Sequence, residues 1–239
     1  MAAELGPLAL VGGDEFHPGN EAQDRLLRDA AAGRAAFVVA TAARENPAAA
    51  VRTAQRWFAT LGVQIEELPV RTPVDARSST LAAQAAGAGL IYMTGGDPGR
   101  VVQVLRGSTV WQAMRQAWLD GGALAGSSAG AMALARWSLV RAAWPGHTRR
   151  RPIDALGTVP GCAVLPHFDT FGERWIQSAQ DSLGEEKLLL GLDERTAAVW
   201  TGRGWQAMGP GRVTLVRGAT RTVVQAPADV EGLPPPLSA

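Results

Sequence analysis

The segment Gly121-Gly122-Ala123-Leu124-Ala125-Gly126-Ser127-Ser128-Ala129-Gly130-Ala131-Met132-Ala133-Leu134 joins a short apolar strand to a helix through a turn of small residues. Within it, Gly126-x-Ser128-x-Gly130 fits the G-x-S-x-G elbow, in which a strained strand-to-helix turn lifts a serine hydroxyl above the carboxyl end of a strand. A side chain at either flanking position would collide with the neighbouring strand or helix. The following helix turns its first N–H groups toward developing negative charge. Ser127 is the competing serine, but choosing it would put Ala125 and Ala129 where the elbow needs glycine.

A serine becomes a nucleophile only when a base takes its proton. The chain offers His17, His147 and His167. His167 follows Ala163-Val164-Leu165-Pro166, so it stands just past the carboxyl end of a strand, level with the elbow. His17 occupies the turn after the first strand and His147 an apparent loop, and each is a weaker alternative. The orienting acid is expected in Gly191-Leu192-Asp193-Glu194-Arg195-Thr196, at the end of the next strand. Glu194 is the first choice and Asp193 the second. Asp169 is a distant third, because two residues along an extended segment it cannot easily turn back onto the ring.

A second glycine turn, Thr94-Gly95-Gly96-Asp97-Pro98, also ends a strand and opens a helix. In an open parallel sheet both turns lie at the same edge. Gly96 and Ala129 could therefore supply the N–H donors of an oxyanion hole, although on spacing alone a plain structural glycine turn is an equal reading. Around them, Asp97, Phe168, Asp169, Arg174 and Trp175 are candidate substrate contacts. Arg149-Arg150-Arg151 and Arg174 could hold a carboxylate, while Asp97, Asp169 or Glu173 could hold an amine. A solvated loop is the simpler account of the arginine triplet, and a core or interface position that of Trp137, Trp144 and Trp175.

The elements that must position these groups alternate short apolar strands with longer amphipathic helices, the pattern of a mostly parallel sheet covered on both faces. Strands are expected at 7–11, 36–41, 63–70, 90–94, 123–126, 162–165 and 188–192. Helices are expected at 20–32, 47–61, 74–86, 98–106 and 110–119. From 196 to 226, brief strand-like segments separated by glycines suggest an antiparallel meander at one sheet edge. The tail, 232–239, carries Pro234-Pro235-Pro236 and reads as a loose extended end. The fold class is a doubly wound α/β protein, and the whole of 1–239 reads as one domain, with its catalytic motifs between 94 and 194.

With 239 residues, 46% of them hydrophobic, the chain can bury a sizeable core. A formal net charge of +1 gives no long-range field that favours nucleic acid or an anionic membrane. Cys162 is the only cysteine, which excludes an internal disulfide and any cysteine-based metal cluster. No metal-ligand spacing and no cofactor motif is visible, and Gly12-Gly13 lacks the later glycine of a dinucleotide fingerprint. No apolar run reaches the ~20 residues of a membrane span, and no secretion signal is recognisable. A small substrate, a cytoplasmic location and a monomer or homodimer are the resulting expectations.

Together, Thr94-Gly95-Gly96-Asp97, Gly126-Ser127-Ser128-Ala129-Gly130-Ala131, Pro166-His167-Phe168 and Gly191-Leu192-Asp193-Glu194-x-Thr196-Ala197 resemble the peptidase E and cyanophycinase family. The resemblance implies a fold related to class I glutamine amidotransferases, a Ser128-His167-Glu194 triad, and Gly96 and Ala129 at the oxyanion hole. It also implies a serine exopeptidase or dipeptidase acting on short peptides. Pro98 stands where cyanophycinases usually carry glutamine, and the segment after His167 is sparse in arginine and short of the polar stretch of peptidase E. Neither cyanophycin cleavage nor aspartate specificity is therefore expected. Phe168, Phe171 and Trp175 point instead to an apolar or aromatic preference. A cyanophycinase-like hydrolase is the alternative within the family, and a non-catalytic binding or regulatory domain on the same fold the alternative from another class. Glutamine amidotransferase activity is disfavoured by serine at the elbow.

Overall fold

The computed structural model describes residues 5–141 and 150–237. Its strands are β1 (Leu8–Val11), β2 (Ala36–Val39), β3 (Ile65–Glu67), β4 (Leu90–Met93), β5 (Ala123–Ser127), β6 (Ala135–Arg141), β7 (Arg150–Asp154), β8 (Val159–Leu165), β9 (Leu188–Leu192), β10 (Ala197–Trp200), β11 (Trp205–Met208), β12 (Arg212–Arg217), β13 (Thr220–Gln225) and β14 (Ala228–Asp229). The helices are α1 (Glu21–Ala31), α2 (Pro47–Thr60), α3 (Ser79–Ala86), α4 (Pro98–Leu105), α5 (Thr109–Leu119), α6 (Ala129–Leu134) and α7 (Ile176–Leu183).

Local chemistry sets the helix starts. The side chains of Asn46, Ser78, Asp97 and Ser108 each accept backbone N–H groups at the mouths of α2, α3, α4 and α5, and Pro47 and Pro98 follow two of these caps. The helix expected over 74–86 is divided, because a 3₁₀ turn at Asp75–Arg77 precedes the Ser78 cap.

The expected single sheet is two. One runs β14-β11-β10-β1-β5-β4-β2-β3, the other β13-β12-β9-β8-β6-β7. In the first, β1 lies parallel between β5 and the antiparallel β10, and β4, β2 and β3 continue the parallel set. The strands carrying 162–165 and 188–192 belong to the second sheet, where β8 pairs in parallel with β6 and β9. The meander divides as well. β10, β11 and β14 extend the first sheet, whereas β12 and β13 extend the second.

Because the central strands are covered on both faces, alternate residues enter different cores. Leu8 and Leu10 join Ile91, Met93 and Leu124 in a core that continues into Val164, Leu165 and Leu190 of the second sheet. Ala9 and Val11 face the other way, with Val38, Tyr92 and Ala125, beneath α1 and α2. On that side Asp24 is fully buried, accepts from Trp57 Nε1 at 2.7 Å, and has its carboxyl pushed up to about 7 by burial. Cys162 is a core residue, its thiol pushed up to about 12 by burial.

The terminal segment is extended but not loose. Trp205 Nε1 donates to the Pro234 carbonyl at 2.9 Å, the Leu237 N–H donates to the Thr158 carbonyl at 2.9 Å, and Leu233 is buried. Among the described residues no helix is long and apolar enough to cross a membrane.

Candidate active site

Ser128 sits between β5 and α6 at φ 47° and ψ −106°, a conformation that costs a non-glycine residue on the order of 1–3 kcal/mol. Its neighbours hold it there. The Ser128 N–H donates to the Val11 carbonyl of β1 at 2.9 Å. A Cβ at Gly126 would lie 2.5 Å from the Gly130 carbonyl carbon, and one at Gly130 would lie 2.5 Å from the Met93 oxygen of β4. Both glycines are thus fixed by close backbone approach, as the elbow spacing predicts.

His167, just past β8, lies with Nε2 3.0 Å from Ser128 Oγ. Its Nδ1 is 2.7 Å from Glu194 Oε1. With the Nδ1 proton donated to the carboxylate, Nε2 is left to accept the serine proton. The imidazole is confined by its surroundings. Phe171 stacks on it with centroids 4.8 Å apart and an interplanar angle of 19°. The His167 N–H donates to the Gly12 carbonyl at 2.7 Å. Gly13, at φ 121°, approaches so closely that a Cβ there would be 2.2 Å from Cε1.

Gly13→Ala should therefore push the ring away from Ser128 and strain the loop. We expect kcat/KM to fall about 100-fold or more, since displacements near 1 Å carry that cost. Steady-state kinetics beside circular dichroism of the folded variant measures it.

The two candidate acids part company. Glu194 faces the ring, its N–H donating to Asp169 Oδ1 at 3.0 Å, while the next N–H, of Arg195, donates to the Gly13 carbonyl at 2.8 Å. Asp193 is buried and turned to β12, where Oδ2 accepts from the Arg212 N–H at 2.9 Å and from its Nε at 3.2 Å. Asp169 thus touches the main chain of Glu194, not the imidazole. His17 is exposed and pairs with Asp14, and His147 lies outside the described residues.

Gly96, at φ 137°, has room for no Cβ, which would lie 2.3 Å from the Ala42 carbonyl oxygen. Ala129 is the first residue of α6, so its N–H has no intrahelical acceptor. A Cβ on the adjoining Gly95 would meet Ser128 Cβ at 3.4 Å, so the glycine turn lies against the elbow.

The model of Peptidase family S51 matches residues 8–208. The chain belongs to Peptidase family S51. It is a serine-type peptidase, as the four ordered motifs imply. Cyanophycinases of Trichormus variabilis and Nostoc sp. are each 28% identical over 223 residues, spanning 90% of this chain and 74% of theirs. The crystal structure of a peptidase from an acI-B1 Actinobacterium superposes with a TM-score of 0.84 at 27% identity, covering 96% of this chain and 98% of that one. The amidotransferase-like α/β fold of this S51 peptidase is thereby established.

The substrate-contact candidates fare unevenly. Phe168 and Trp175 are buried at 8% and 4% exposure, Phe168 packed over Gly191 in the core, because the hydrophobic effect claims such side chains first. Of Phe168, Phe171 and Trp175, Phe171 alone is exposed. Asp97 is spent on capping α4 and pairing with Arg44, and Glu173 pairs with Arg221. Arg174 is exposed, its guanidinium 5.4 Å from the Phe171 ring centre.

The arginine triplet is not a loop where it is described. Arg150 and Arg151 lie on β7, paired with Arg141 and Val140 of β6. They line a cleft of about 1150 Å³ that also takes in Gly95, Gly96, Arg44, Arg100 and Arg141. The Arg150 guanidinium stacks 4.1 Å over Trp175, its Nε has no hydrogen-bond partner among the described residues, and burial beside Arg141 lowers its pKa from the usual range. The β6–β7 hairpin was invisible to a helix-strand alternation in which the nucleophile helix leads straight to 162–165. Glu15, Gly12 and Gly13 were missed too, although paired glycines ending the first strand were a usable signal.

Proposed function

We propose that this S51 peptidase is a serine exopeptidase or dipeptidase that hydrolyses short cytoplasmic peptides through an acyl-enzyme on Ser128. The observation that carries this is the continuous hydrogen-bonded line from Ser128 Oγ through His167 to Glu194, opening beside an arginine-lined cleft. His167 takes the serine proton as the hydroxyl attacks the scissile carbonyl, and Glu194 stabilises the imidazolium that forms. The oxyanion is received by the N–H groups of Gly96 and Ala129. The imidazolium proton then passes to the leaving amine, and water repeats the sequence on the acyl-enzyme.

The terminus that is recognised is the carboxylate. Five arginines face two acids, Glu45 and Asp97, in the cleft, and Asp97 is already paired. The acids that could have held an amine, Asp97, Asp169 and Glu173, are each committed elsewhere. Arginine's planar fork matches a carboxylate. An aromatic preference loses its support with the burial of Phe168 and Trp175.

Blocking the peptide ends tests this. Amidation of the carboxyl end should raise KM about tenfold or more, the cost of a lost charge-assisted contact, while acetylation of the amine has a smaller effect. Arg150→Gln should raise KM for free peptides and leave that for amidated ones unchanged. Equal cleavage of doubly blocked peptides would overturn the exopeptidase reading. Cyanophycin hydrolysis is the second reading, favoured by the likeness to the two cyanophycinases, and release of soluble product from that polymer would establish it.

A further inference from the structure

Glu15 belongs to none of the motifs above, yet both of its carboxylate oxygens are spent on the site. Oε1 accepts the Gly95 N–H at 2.8 Å, and Oε2 accepts the Ser127 hydroxyl at 2.8 Å. One side chain from the loop after β1 thereby bridges the glycine turn after β4 and the elbow after β5.

That loop is strained and firmly held. Asp14 and Phe16, on either side of Glu15, have φ of 53° and 64°. Conformations of this kind persist only where the surroundings over-determine them, and they gather at functional sites. Phe16 is buried, 4.8 Å from Tyr92 and 6.0 Å from Phe58 between ring centres. Asn20 Nδ2 donates to the Asp14 carbonyl at 2.9 Å, and the Asp14 carboxylate pairs with Arg195, the residue after Glu194, at 3.3 Å.

A carboxylate beside a forming oxyanion opposes its charge, so electrostatics does not explain Glu15 here. Geometry does. With the Gly95 N–H tied down, the next N–H, that of Gly96, is left to face the reacting carbonyl.

We propose that Glu15 is a positioning residue that locks the Gly95-Gly96 turn to the Ser127-Ser128 elbow and so fixes the oxyanion donor relative to the nucleophile. The proposal rests on the serine-peptidase mechanism described above. Glu15→Gln keeps the bridge, because the amide oxygen accepts from Gly95 while the amide nitrogen donates to Ser127 Oγ, which a hydroxyl can accept. Glu15→Ala breaks it.

The test compares the parent, Glu15→Gln, Glu15→Ala, Ser127→Ala and the Glu15→Ala/Ser127→Ala double variant by kcat, KM, melting temperature and rate of fluorophosphonate labelling. We expect Glu15→Ala to lower kcat and the labelling rate about 30- to 100-fold with KM nearly unchanged, and Glu15→Gln to stay within about threefold of the parent. Ser127→Ala should cost a few-fold, and the double variant should be no worse than Glu15→Ala, as for residues of one network. Unchanged kcat in Glu15→Ala, additive losses, or losses that follow the melting temperature would overturn the proposal. Should Glu15→Ala fail to fold, the pair Glu15→Gln and Ser127→Ala decides: a Glu15→Gln as slow as an unbridged site, or an unaffected Ser127→Ala, sinks it. Absence of labelling in the parent would instead refute the serine mechanism itself.

Discussion

Ser128→Ala should abolish covalent labelling by a fluorophosphonate and lower peptide hydrolysis by roughly 10⁶-fold, the scale of losing a triad nucleophile. The expectation rests on one geometric difference between adjacent serines. Ser128 Oγ is 3.0 Å from the base, whereas Ser127 is fully buried and donates to Glu15 on the other side of the strand. Ser127→Ala should therefore still be labelled at Ser128. Peptide mapping of the labelled protein reads the site directly. Label that survives Ser128→Ala and vanishes in Ser127→Ala would move the nucleophile.

Glu194→Gln should lower kcat by about 10⁴-fold while the fold stays intact. The carboxylate accepts the Nδ1 proton at 2.7 Å and leaves Nε2 free to accept from serine. A glutamine can turn its NH₂ toward Nδ1, which then becomes the acceptor and forces the proton onto Nε2. In that tautomer the imidazole cannot take the serine proton. Asp193→Asn should keep most of the activity and instead lower the melting temperature, because Asp193 holds the Arg212 backbone and side chain at the start of β12. An inactive Asp193→Asn beside a near-normal Glu194→Gln would reverse the assignment.

Both expectations depend on parts drawn from different sheets. Ser128 ends β5 of the first sheet, whereas His167 and Glu194 follow β8 and β9 of the second. Their meeting is produced by the shared core and by the loop after β1, where Gly12 and Gly13 accept the N–H groups of His167 and Arg195. The glycines there serve a steric end. Only a residue without a side chain lets the first sheet come so close to the imidazole.

The elbow was legible in the sequence because its requirements are local. Gly126 and Ser128 are set by one turn, and Asn46-Pro47 and Ser108 by single helix mouths, although Gly130 also answers to the close approach of β4. The alternation of apolar strands and amphipathic helices likewise announced a doubly wound α/β fold. The placement of His167 and Glu194 past successive strand ends followed from strand order alone. What the sequence could not decide was which sheet each strand joined, since strands buried on both faces carry the same apolar pattern in either. The tertiary structure decided that, and with it everything reached across the chain. Glu15 lies 112 positions from the serine it binds, the β6–β7 hairpin turns Arg150 into a cleft wall, and Phe168 and Trp175 go to the core. Periodicity records how a residue faces within its own element, but contact between distant elements is fixed only when their surfaces pack.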